Sequence, residues 1–594
     1  MALQLYKDRL TNLRKKIAHY HGDGILIPHA DRFQAECLCA ADQHLAWLTG
    51  FTGSAGLAIV LQSQAALFVD GRYTLQAHHQ VHAEHFSIQP YCLKNVASWL
   101  KEHCQPGYVL LYDPWLHTVQ QIKNYQKSFS EAAIVLKPCS TNLVKELWST
   151  SDEETIHPFT VHPLKWSGES SEEKIQKIIA FLNQEQADQL VITSPSSIAW
   201  LLNIRGQDVP YTPDCRAFGI LHQTGALDIF TDLQKVTKDI EIHCGPHVFW
   251  RDFSQFPVFL SQAYEKTVII DPCQASHYIA LELQKAKATL LERRDPCLLG
   301  RALKNQCEQE GAIAAHQRDG VAVTHFLAWL LELTTHTPVS ELEAATYLLQ
   351  QRQLQPYFQS ESFPLISAAA DHGAIVHYFP TPETNALIKP NMIYLVDSGG
   401  QYYDGTTDIT RTVAIGTPTL EQKDRFTRVL KGHIALADIK FPLGTTGHQL
   451  DVLARQYLWQ IGLDYEHSTG HGVGSYLAVH EGPHQIGKTV NSVPLQPGMI
   501  VSNEPGYYKT HEYGIRIENL MLVVPVETQG KHTMLGFKTL TLVPIDQNLI
   551  ETGLLTPSEK KWLNDYHAYT FEKISPFVTG NVLAWLKQAT HPIA

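Results

Sequence analysis

The residues of this chain that could do chemistry stand in a passage that occurs twice. The first copy leads to Asp397 and the second to Glu504; each reads Pro-x-Met-Ile and places its acid five residues after the methionine. A Val-His-x-x-Pro segment precedes each copy, and it supplies His377 to the first and His480 to the second. This repetition predicts a duplicated half-domain folded around a shared cleft. Each half would contribute an acid and a histidine, which is the geometry of a metal site or an acid–base site.

The first copy leads into a second acid. Residues 392–396 predict a strand that ends at Asp397 and is followed by a turn at Ser398-Gly-Gly. The next segment, 408–415, alternates polar and apolar residues at its start, which predicts a second strand that begins with Asp408. Asp397 and Asp408 would then be neighbours on paired strands, an arrangement that is costly unless a cation neutralises them. Taken alone, Asp397 before Ser-Gly-Gly is more typical of a turn former.

The second copy repeats the order strand, acid, turn, strand, acid. This repetition weakens the interpretation of Asp397 as a simple turn former. Glu504 ends the predicted strand 499–504, and Glu518 lies in the segment 514–519, where it would share a face with Arg516. Four carboxylates from four strands in one cleft repel one another and require neutralisation. Two divalent cations offset that charge, and bridging carboxylates are how two-metal hydrolytic sites are built.

His471 stands in the stretch Gly-His-Gly-Val-Gly. In the sequence it follows the two acids of the first copy and precedes the two acids of the second. The glycines let the backbone approach a site closely, and His471 is the natural nitrogen ligand. A single histidine is weak evidence in a chain that has 31 of them. All ten cysteines lie between Cys37 and Cys307, so a metal in the last half would use oxygen and nitrogen ligands. This donor set favours harder ions such as manganese, and the cysteine pattern predicts no disulfide scaffold.

A fainter repeat organises the first half of the chain. Residues 25–28 and 190–193 are short apolar strands, and each leads to an Ala-Trp-Leu helix and then to further strands, which indicates an α/β arrangement. Ser170 and Glu173 form a predicted capping box at the start of a helix. We expect a linker from about Ser149 to Ser167, and one or two helices over 301–333 after a second boundary near 296–304. The predicted domains are 1–155, 156–302 and 303–594.

Composition excludes some classes of function. The formal net charge of −12 argues against nucleic acid as the main partner, because surfaces that bind nucleic acid are basic. The N-terminal residues form a charged amphipathic pattern without the apolar core of a signal peptide. No apolar run is long enough to span a bilayer. The expected location is the cytoplasm.

Several segments together resemble the Xaa-Pro aminopeptidases, also called aminopeptidase P, and more closely their long, three-domain cytosolic form. The resemblance covers nearly the whole chain and lies in 50–56, 70–73, 395–411, 470–483, 503–508 and 514–519. It implies an α/β (α+β) chain in which two related creatinase-N-like α/β domains precede a pseudo-two-fold pita-bread catalytic domain.

The resemblance also implies a dinuclear site, usually of manganese. The five matching ligand positions, with Asp408 and Glu518 in the bridging places, are Asp397, Asp408, His471, Glu504 and Glu518. Glu504 matches the proposed general base, and His377 and His480 match histidines that contact substrate or stabilise the tetrahedral intermediate. His467 matches a pocket histidine near the proline subsite, and Arg516 is a further substrate-binding candidate.

Two more positions carry expectations from the family. Arg72 matches a first-domain arginine that reaches the substrate site of the neighbouring subunit, which implies a homodimer. Ser468 stands where related sequences typically have glycine, and we expect only a minor change of the pocket there.

The function that this resemblance implies is removal of the N-terminal residue from peptides with proline in second place. A metal-bridging hydroxide would attack the carbonyl before proline, since a metal lowers the pKa of its water towards neutrality. One alternative is a prolidase, which cuts only Xaa-Pro dipeptides; prolidases resemble a chain with one front domain, and this chain has two. A non-catalytic pita-bread binding protein is the alternative from another class, and the intact ligand set argues against it.

Overall fold

The computed structural model describes residues 2–148, 156–334 and 337–594. Its internal contacts divide the chain into two compact units. Unit 1 comprises Met1–His162 and Ser170–Cys297, and unit 2 comprises Pro163–Glu169 and Leu298–Ala594.

Unit 1 begins with a six-stranded mixed sheet. Its strands are β1 (Gly24–Pro28), β2 (Leu57–Leu61), β3 (Ala65–Val69), β4 (Ser87–Pro90), β5 (Val109–Tyr112) and β6 (Val135–Pro138). The helices around it are α1 (Ala2–His19), α2 (His44–Thr49), α3 (Thr74–Gln80), α4 (Leu93–His103) and α5 (Val119–Phe129). The sheet order is β4-β3-β2-β1-β5-β6, and the three strands β1 to β3 are buried along their whole length. Apolar runs of this kind are typical of strands covered on both faces.

A second sheet in unit 1 repeats that topology. The strands of this part are β7 (Thr160–Val161), β8 (Gln189–Ile192), β9 (Ile204–Arg205), β10 (Phe218–His222), β11 (Leu227–Thr231), β12 (Val248–Asp252), β13 (Thr267–Ile270) and β14 (Thr289–Glu292). The helices in this stretch of the chain are α6 (Leu164–Ser167, which belongs to unit 2), α7 (Ser171–Gln184), α8 (Pro195–Leu202), α9 (Lys238–Cys244), α10 (Phe256–Ser261) and α11 (His277–Lys285). The order β12-β11-β10-β8-β13-β14 is the order of the first sheet with equivalent strands in equivalent places. The predicted repeat of strand, Ala-Trp-Leu helix and further strands is therefore confirmed, with α2 and α8 as the helices.

The linker expected from about Ser149 to Ser167 contains regular structure in its later part. Residues 149–155 of the expected linker lie outside the described residues. The expectation is wrong for the later part, because β7 pairs with β9 and α6 forms a helical turn that belongs to unit 2. The predicted capping box at Ser170 is confirmed: its hydroxyl accepts from the backbone N–H of Glu173, whose carboxylate accepts in return.

Unit 2 contains the remaining elements. Its helices are α12 (Pro296–Ala302, which begins at the boundary), α13 (Gln306–Leu333), α14 (Glu341–Gln353), α15 (Leu420–Ala437), α16 (Gly447–Trp459), α17 (Pro557–Ile574) and α18 (Gly580–Ala589). Its first strands are β15 (Val339–Ser340), β16 (Phe358–Glu361), β17 (Ile366–Ala369), β18 (Leu387–Ile388), β19 (Met392–Ser398), β20 (Gly400–Tyr402), β21 (Gly405–Thr406) and β22 (Ile409–Ile415). The later strands are β23 (Phe441–Pro442), β24 (Gly470–Gly472), β25 (Glu481–Ile486), β26 (Ile500–Asn503), β27 (Gly506–Lys509), β28 (Tyr513–Arg516), β29 (Asn519–Val526) and β30 (Met534–Thr539).

Unit 2 is built from two copies of one motif, as the repeated passage predicts. The antiparallel sheet β17-β19-β22 corresponds to β24-β26-β29, which forms the middle of the six-stranded sheet β23-β30-β29-β26-β24-β25. A pair of helices precedes each triplet of strands. Helices α13 and α14 pack on β19 and β22, and α15 and α16 pack on β26 and β29. Each acid-bearing strand is therefore the central strand of its triplet and is fixed by core packing.

In the first half of unit 2, the turn predicted at Ser398-Gly-Gly is not observed. Ser398-Gly-Gly is not a turn, because β19 runs through Ser398 and β20 begins at Gly400. The chain reverses at Tyr403 and Asp404 instead. Gly399 serves close packing: a Cβ there would lie 2.0 Å from the carbonyl oxygen of Thr407. All ten cysteines are free in this structure.

Within the described ranges, none of the helices combines the length and the apolar character needed to cross a bilayer.

Candidate metal centre and active site

The first pair of acids is placed by strand register. In the antiparallel pair β19–β22, Asp397 lies opposite Thr410 and Ser398 lies opposite Ile409. Asp408 directly precedes β22, so the two acids are close neighbours at one end of this pair. Both side chains are largely buried, at 8 % and 4 % exposure. The predicted proximity of Asp397 and Asp408 is confirmed by this register.

The second pair of acids is placed by the equivalent register, with one difference. Asn503 at the end of β26 lies opposite Asn519 at the start of β29, so Glu504 and Glu518 flank this pair. Glu518 was expected inside a continuous strand, and that is wrong: it lies between β28 and β29. The break arises because the backbone N–H of Glu518 donates to the carbonyl of Thr410 in the other half. Glu518 is thereby held against the first half as well as the second.

His471 is positioned by a glycine-lined strand. A Cβ at Gly470 would lie 2.1 Å from the carbonyl oxygen of Ser502, and one at Gly472 would lie 2.1 Å from that of Glu481. Only glycine permits β24 to run this close to both neighbouring strands. The Nδ1 of His471 is 3.0 Å from the carbonyl oxygen of Gly472. Because a carbonyl only accepts, Nδ1 carries a proton, and Nε2 is the ring nitrogen that could bind a metal ion.

The groups that could hold a cation converge from both halves. Ligand atoms of Asp408, His471 and Glu518 all lie within 4.8 Å of one another. The Nε2 of His471 is 3.5 Å from a carboxylate oxygen of Asp408 and 3.5 Å from one of Glu504. A set of carboxylate oxygens and an imidazole nitrogen suits divalent ions such as manganese.

Unsatisfied oxygens show that this cluster fits a cation. Among the described residues, the buried atoms Asp397 Oδ1, Asp408 Oδ1 and Glu518 Oε1 have no hydrogen-bond partner. Buried carboxylate oxygens without a donor are costly. Three such atoms in one cleft, beside Nε2 of His471, form the donor set that a metal ion completes.

The raised pKa values of the buried acids also indicate a site that suits a cation. Burial raises the pKa of Asp397 to about 7, with the charge of Asp408 adding to the rise and Arg516 opposing it. Burial also raises the pKa of Glu518 well above its ordinary value, and the neighbouring acids Asp408 and Glu504 add to this. The pKa of Glu504 is raised by burial, while His471 opposes the rise. Burial therefore favours the protonated forms of Asp397, Glu504 and Glu518 when no cation is bound.

One guanidinium supports the first acid and links it to the pocket. Arg516 is 2 % exposed, and its Nη2 donates to Asp397 Oδ2 at 2.6 Å. Its Nη1 donates to the hydroxyl of Tyr508 at 2.8 Å, and that hydroxyl is 2.8 Å from Nε2 of His467. The hydrogen bonds described for the Arg516 guanidinium go to other groups of the protein. The predicted role of Arg516 in substrate binding stays a prediction.

The remaining predicted residues lie in different settings. His480 is exposed, with its ring edge-on to that of His471 at 4.3 Å between centroids. His377 is half-buried in a turn after β17. The Nδ1 of His467 is 3.8 Å from Glu504 Oε2. Arg72 belongs to unit 1, where it forms a forked pair with Asp70 at 2.8 and 3.0 Å.

The hydroxyl at position 468 has a local partner: it accepts a hydrogen bond from the side-chain amide of Gln485. The expectation of a minor change of the pocket at Ser468 stays a prediction.

Two buried side chains that the sequence did not single out connect the acid pairs. The guanidinium of Arg411 donates to the carbonyl oxygens of Thr410 and Glu518 and to the side chain of Asn519. His433 accepts from the Asn519 amide through Nε2 and donates through Nδ1 to the carbonyl of Asn503. Burial, with the charge of Arg411, lowers the pKa of His433 to about 3, so this histidine is neutral. Arg411 stands inside a matching segment, but its partners Glu518 and Asn519 are more than a hundred residues away in sequence.

Comparison with known proteins identifies the family. The description "Metallopeptidase family M24" matches residues 310–525, and "C-terminal region of peptidase_M24" matches 533–593. "Creatinase/Prolidase N-terminal domain" matches twice, at 9–147 and 151–308. Aminopeptidase P1 of Arabidopsis thaliana is 36% identical over 98% of this chain and 99% of its own length. A probable Xaa-Pro aminopeptidase P of Coccidioides posadasii is 39% identical over the same shares.

This chain belongs to the aminopeptidase P family. The resemblance read from the motifs, the fold class and the assignment to the peptidases are confirmed. Among solved structures, the X-prolyl aminopeptidase of Caenorhabditis elegans, described as a cytosolic enzyme with a di-nuclear active site, matches with a TM-score of 0.95. It is 32% identical and covers 99% of this chain and 100% of its own.

Another solved structure matches a smaller part of this chain. The Xaa-Pro dipeptidase of Bacillus anthracis matches over 64% of this chain and 99% of its own, with a TM-score of 0.52. At 23% identity this likeness shows the fold alone. The full-length matches of this aminopeptidase P family member are proteins named as aminopeptidases, and each spans the duplicated front sheets as well.

Proposed function

We propose that this protein removes the N-terminal residue from peptides that carry proline in the second position, with two divalent cations in the cleft of unit 2. The observation that carries the proposal is the convergence of buried acids and His471 from both halves, with three carboxylate oxygens left without partners in the described structure. The membership in the aminopeptidase P family supplies the substrate class.

The cations would be held by the five residues Asp397, Asp408, His471, Glu504 and Glu518. Asp408 and Glu518 would take the bridging places that the family resemblance implies. Their ligand atoms lie within 4.8 Å of that of His471, and the hydroxyl of Thr410 donates to Glu518 from the first half. Mn²⁺ suits this set of oxygen and nitrogen donors. When bound, the cations supply a water activated at neutral pH and charge that polarises the scissile carbonyl.

The chain's own residues would complete the reaction. Glu504 would take up the proton of the attacking water; its carboxylate lies 3.5 Å from Nε2 of His471, and burial raises its pKa. His480 and His377 would donate hydrogen bonds to the oxygen that becomes negative, and removal of such a donor costs about 3 kcal/mol. His467, in contact with Tyr508, would line the proline subsite. A peptide bond to proline has no N–H, so selectivity must come from ring shape.

Three finer features belong to the same proposal. Arg72 would reach the substrate site of a partner subunit in a homodimer, and its forked pair with Asp70 holds its guanidinium in one orientation. The protein would act in the cytoplasm, as described for the C. elegans enzyme. The division into domains at 1–155, 156–302 and 303–594 would separate the two front sheets from the catalytic part.

One experiment tests the activity and the metal together. The purified protein is loaded with Mn²⁺, its metal content is measured, and release of the first residue is followed with a Xaa-Pro-Xaa tripeptide and with a Xaa-Pro dipeptide. We expect about two ions per chain and cleavage of the tripeptide. Cleavage of the dipeptide alone would instead identify a prolidase, and a metal-free protein without turnover would refute the enzyme. The control is His471→Ala, which should lose metal and activity together.

A further inference from the structure

A carboxylate outside the cation cluster has a complete set of donors. Glu341 is the first residue of α14 and is fully buried, at 0 % exposure. Its Oε1 accepts from the backbone N–H of Ala369 and from Nδ1 of His372, both at 2.8 Å. Its Oε2 accepts from the hydroxyl of Tyr378 at 2.8 Å and from the backbone N–H of Ala386 at 2.9 Å. Four donors therefore converge on one buried side chain.

All four donors belong to one segment. Residues 369–386 run from the end of β17 to the start of β18, and we call them the 369–386 loop. Ala369 begins the loop, Ala386 ends it, and His372 and Tyr378 lie between. The backbone of Glu341 binds the same region, because its N–H donates to the carbonyl of Ala386. Glu341 thus fixes the start, the middle and the end of the loop.

The 369–386 loop carries His377, which lies in a turn immediately before Tyr378. Without these bonds a loop of this length has many conformations, and ordering it costs conformational entropy. A displacement of about 1 Å at a reacting group can reduce a rate by about a hundredfold. The bonds to Glu341 therefore hold both ends of the loop and Tyr378, the residue next to His377.

We propose that Glu341 is a positioning residue that acts through His377. The inference rests on the proposed function, in which His377 donates a hydrogen bond to the developing oxyanion. Glu341 lies outside the segments that carry the family resemblance, and it supplies no ligand to the cation cluster.

The charge of Glu341 matters as well as its shape. An ionised carboxylate accepts at both oxygens, so it can serve all four donors. A glutamine of the same size accepts at one end and donates at the other, which leaves two donors of the loop without an acceptor. Glu341→Gln therefore loosens the loop while keeping the volume of the side chain.

The test is a double-mutant cycle between positions 341 and 377. Glu341→Gln, His377→Ala and the double variant are loaded with Mn²⁺ and assayed for kcat and KM on a Xaa-Pro-Xaa peptide. Metal content and thermal midpoint are measured for each. Glu343→Gln is the matched control, because Glu343 lies on the same helix and is exposed, and its hydrogen bonds within the described part of the chain are those of the helix cap at Ser340.

We expect Glu341→Gln to lower kcat on the order of tenfold with a smaller change of KM and unchanged metal content. In the His377→Ala background the same change should lower kcat less than about threefold, because the group it positions is gone. Glu343→Gln should keep the wild-type kcat. An equal loss of kcat in both backgrounds, or loss of metal from Glu341→Gln, would refute the inference.

Failure of the inference can be told from failure of the proposed function. If wild type does not cleave the peptide, or if His377→Ala leaves kcat unchanged, the proposed function or the role of His377 is wrong. If Glu341→Gln does not fold, Tyr378→Phe decides, because it removes one of the four donors. This variant should lower kcat several-fold in the wild-type background and not in His377→Ala; equal effects in the two backgrounds would refute the inference.

Discussion

The crowding of acids in the cleft gives a quantitative prediction for the protein without metal. Burial, with Asp408 nearby, raises the pKa of Asp397 to about 7. A carboxyl group with a raised pKa binds its proton more tightly in the folded state than in the unfolded state. Its contribution to stability is therefore present below its unfolded pKa, near 3.9, and is lost as the pH rises through about 7.

The magnitude follows from the same two pKa values. Above pH 7 the ionised Asp397 should lower the free energy of unfolding by about 4 kcal/mol, and about 2 kcal/mol of this should appear between pH 5 and pH 7. Asp397→Asn removes the titration and leaves an oxygen for Arg516. Relative to this variant, chelator-treated wild type should lose about 2 kcal/mol of stability between pH 5 and pH 7.

The assay is urea unfolding of the chelator-treated proteins followed by circular dichroism at several pH values and constant salt. Asp438→Asn, at an exposed aspartate just after α15, is the matched control and should follow wild type. Added Mn²⁺ should reverse the order, because a ligand that binds only the folded state at about a thousand times its Kd adds about 4 kcal/mol. A difference between wild type and Asp397→Asn that is the same at pH 5 and pH 7 would refute this account of the site.

Three further predictions concern single residues. Glu504→Ala and His471→Ala should each abolish turnover while the circular dichroism spectrum stays close to wild type; activity at the wild-type level in either would contradict the ligand assignment. Ser468→Gly should change KM by less than about threefold in steady-state assays, because it removes a single hydrogen bond from Gln485; a large loss of metal would show that this estimate is wrong. Arg72→Ala should lower the rate only if the protein dimerises, and sedimentation that shows a fully active monomer would exclude that role.

The positions of the cluster could be predicted because the chain repeats itself. Two passages of the same layout, each with an acid at a fixed distance from Pro-x-Met-Ile, are improbable as two unrelated turns. The proximity of Asp397 and Asp408 follows from their places on adjacent strands, and the register, which sets Asp397 opposite Thr410, confirms it. The single turn predicted after Asp397 was wrong because Gly399 is required for close packing on Thr407 and not for chain reversal.

The sequence by itself determined the residue types of the site, the duplication of both parts of the chain and the family. Local spacing suffices for these, since each motif lies within a short stretch and its repetition is found by comparing one stretch of the sequence with another. Only the tertiary structure revealed which groups support the site. Arg411 bonds to Glu518, and Glu341 bonds to the loop that carries His377, at separations of about a hundred residues and up to forty-five residues. The role of a buried charged side chain depends on the donors and acceptors around it, and only folding brings these groups together.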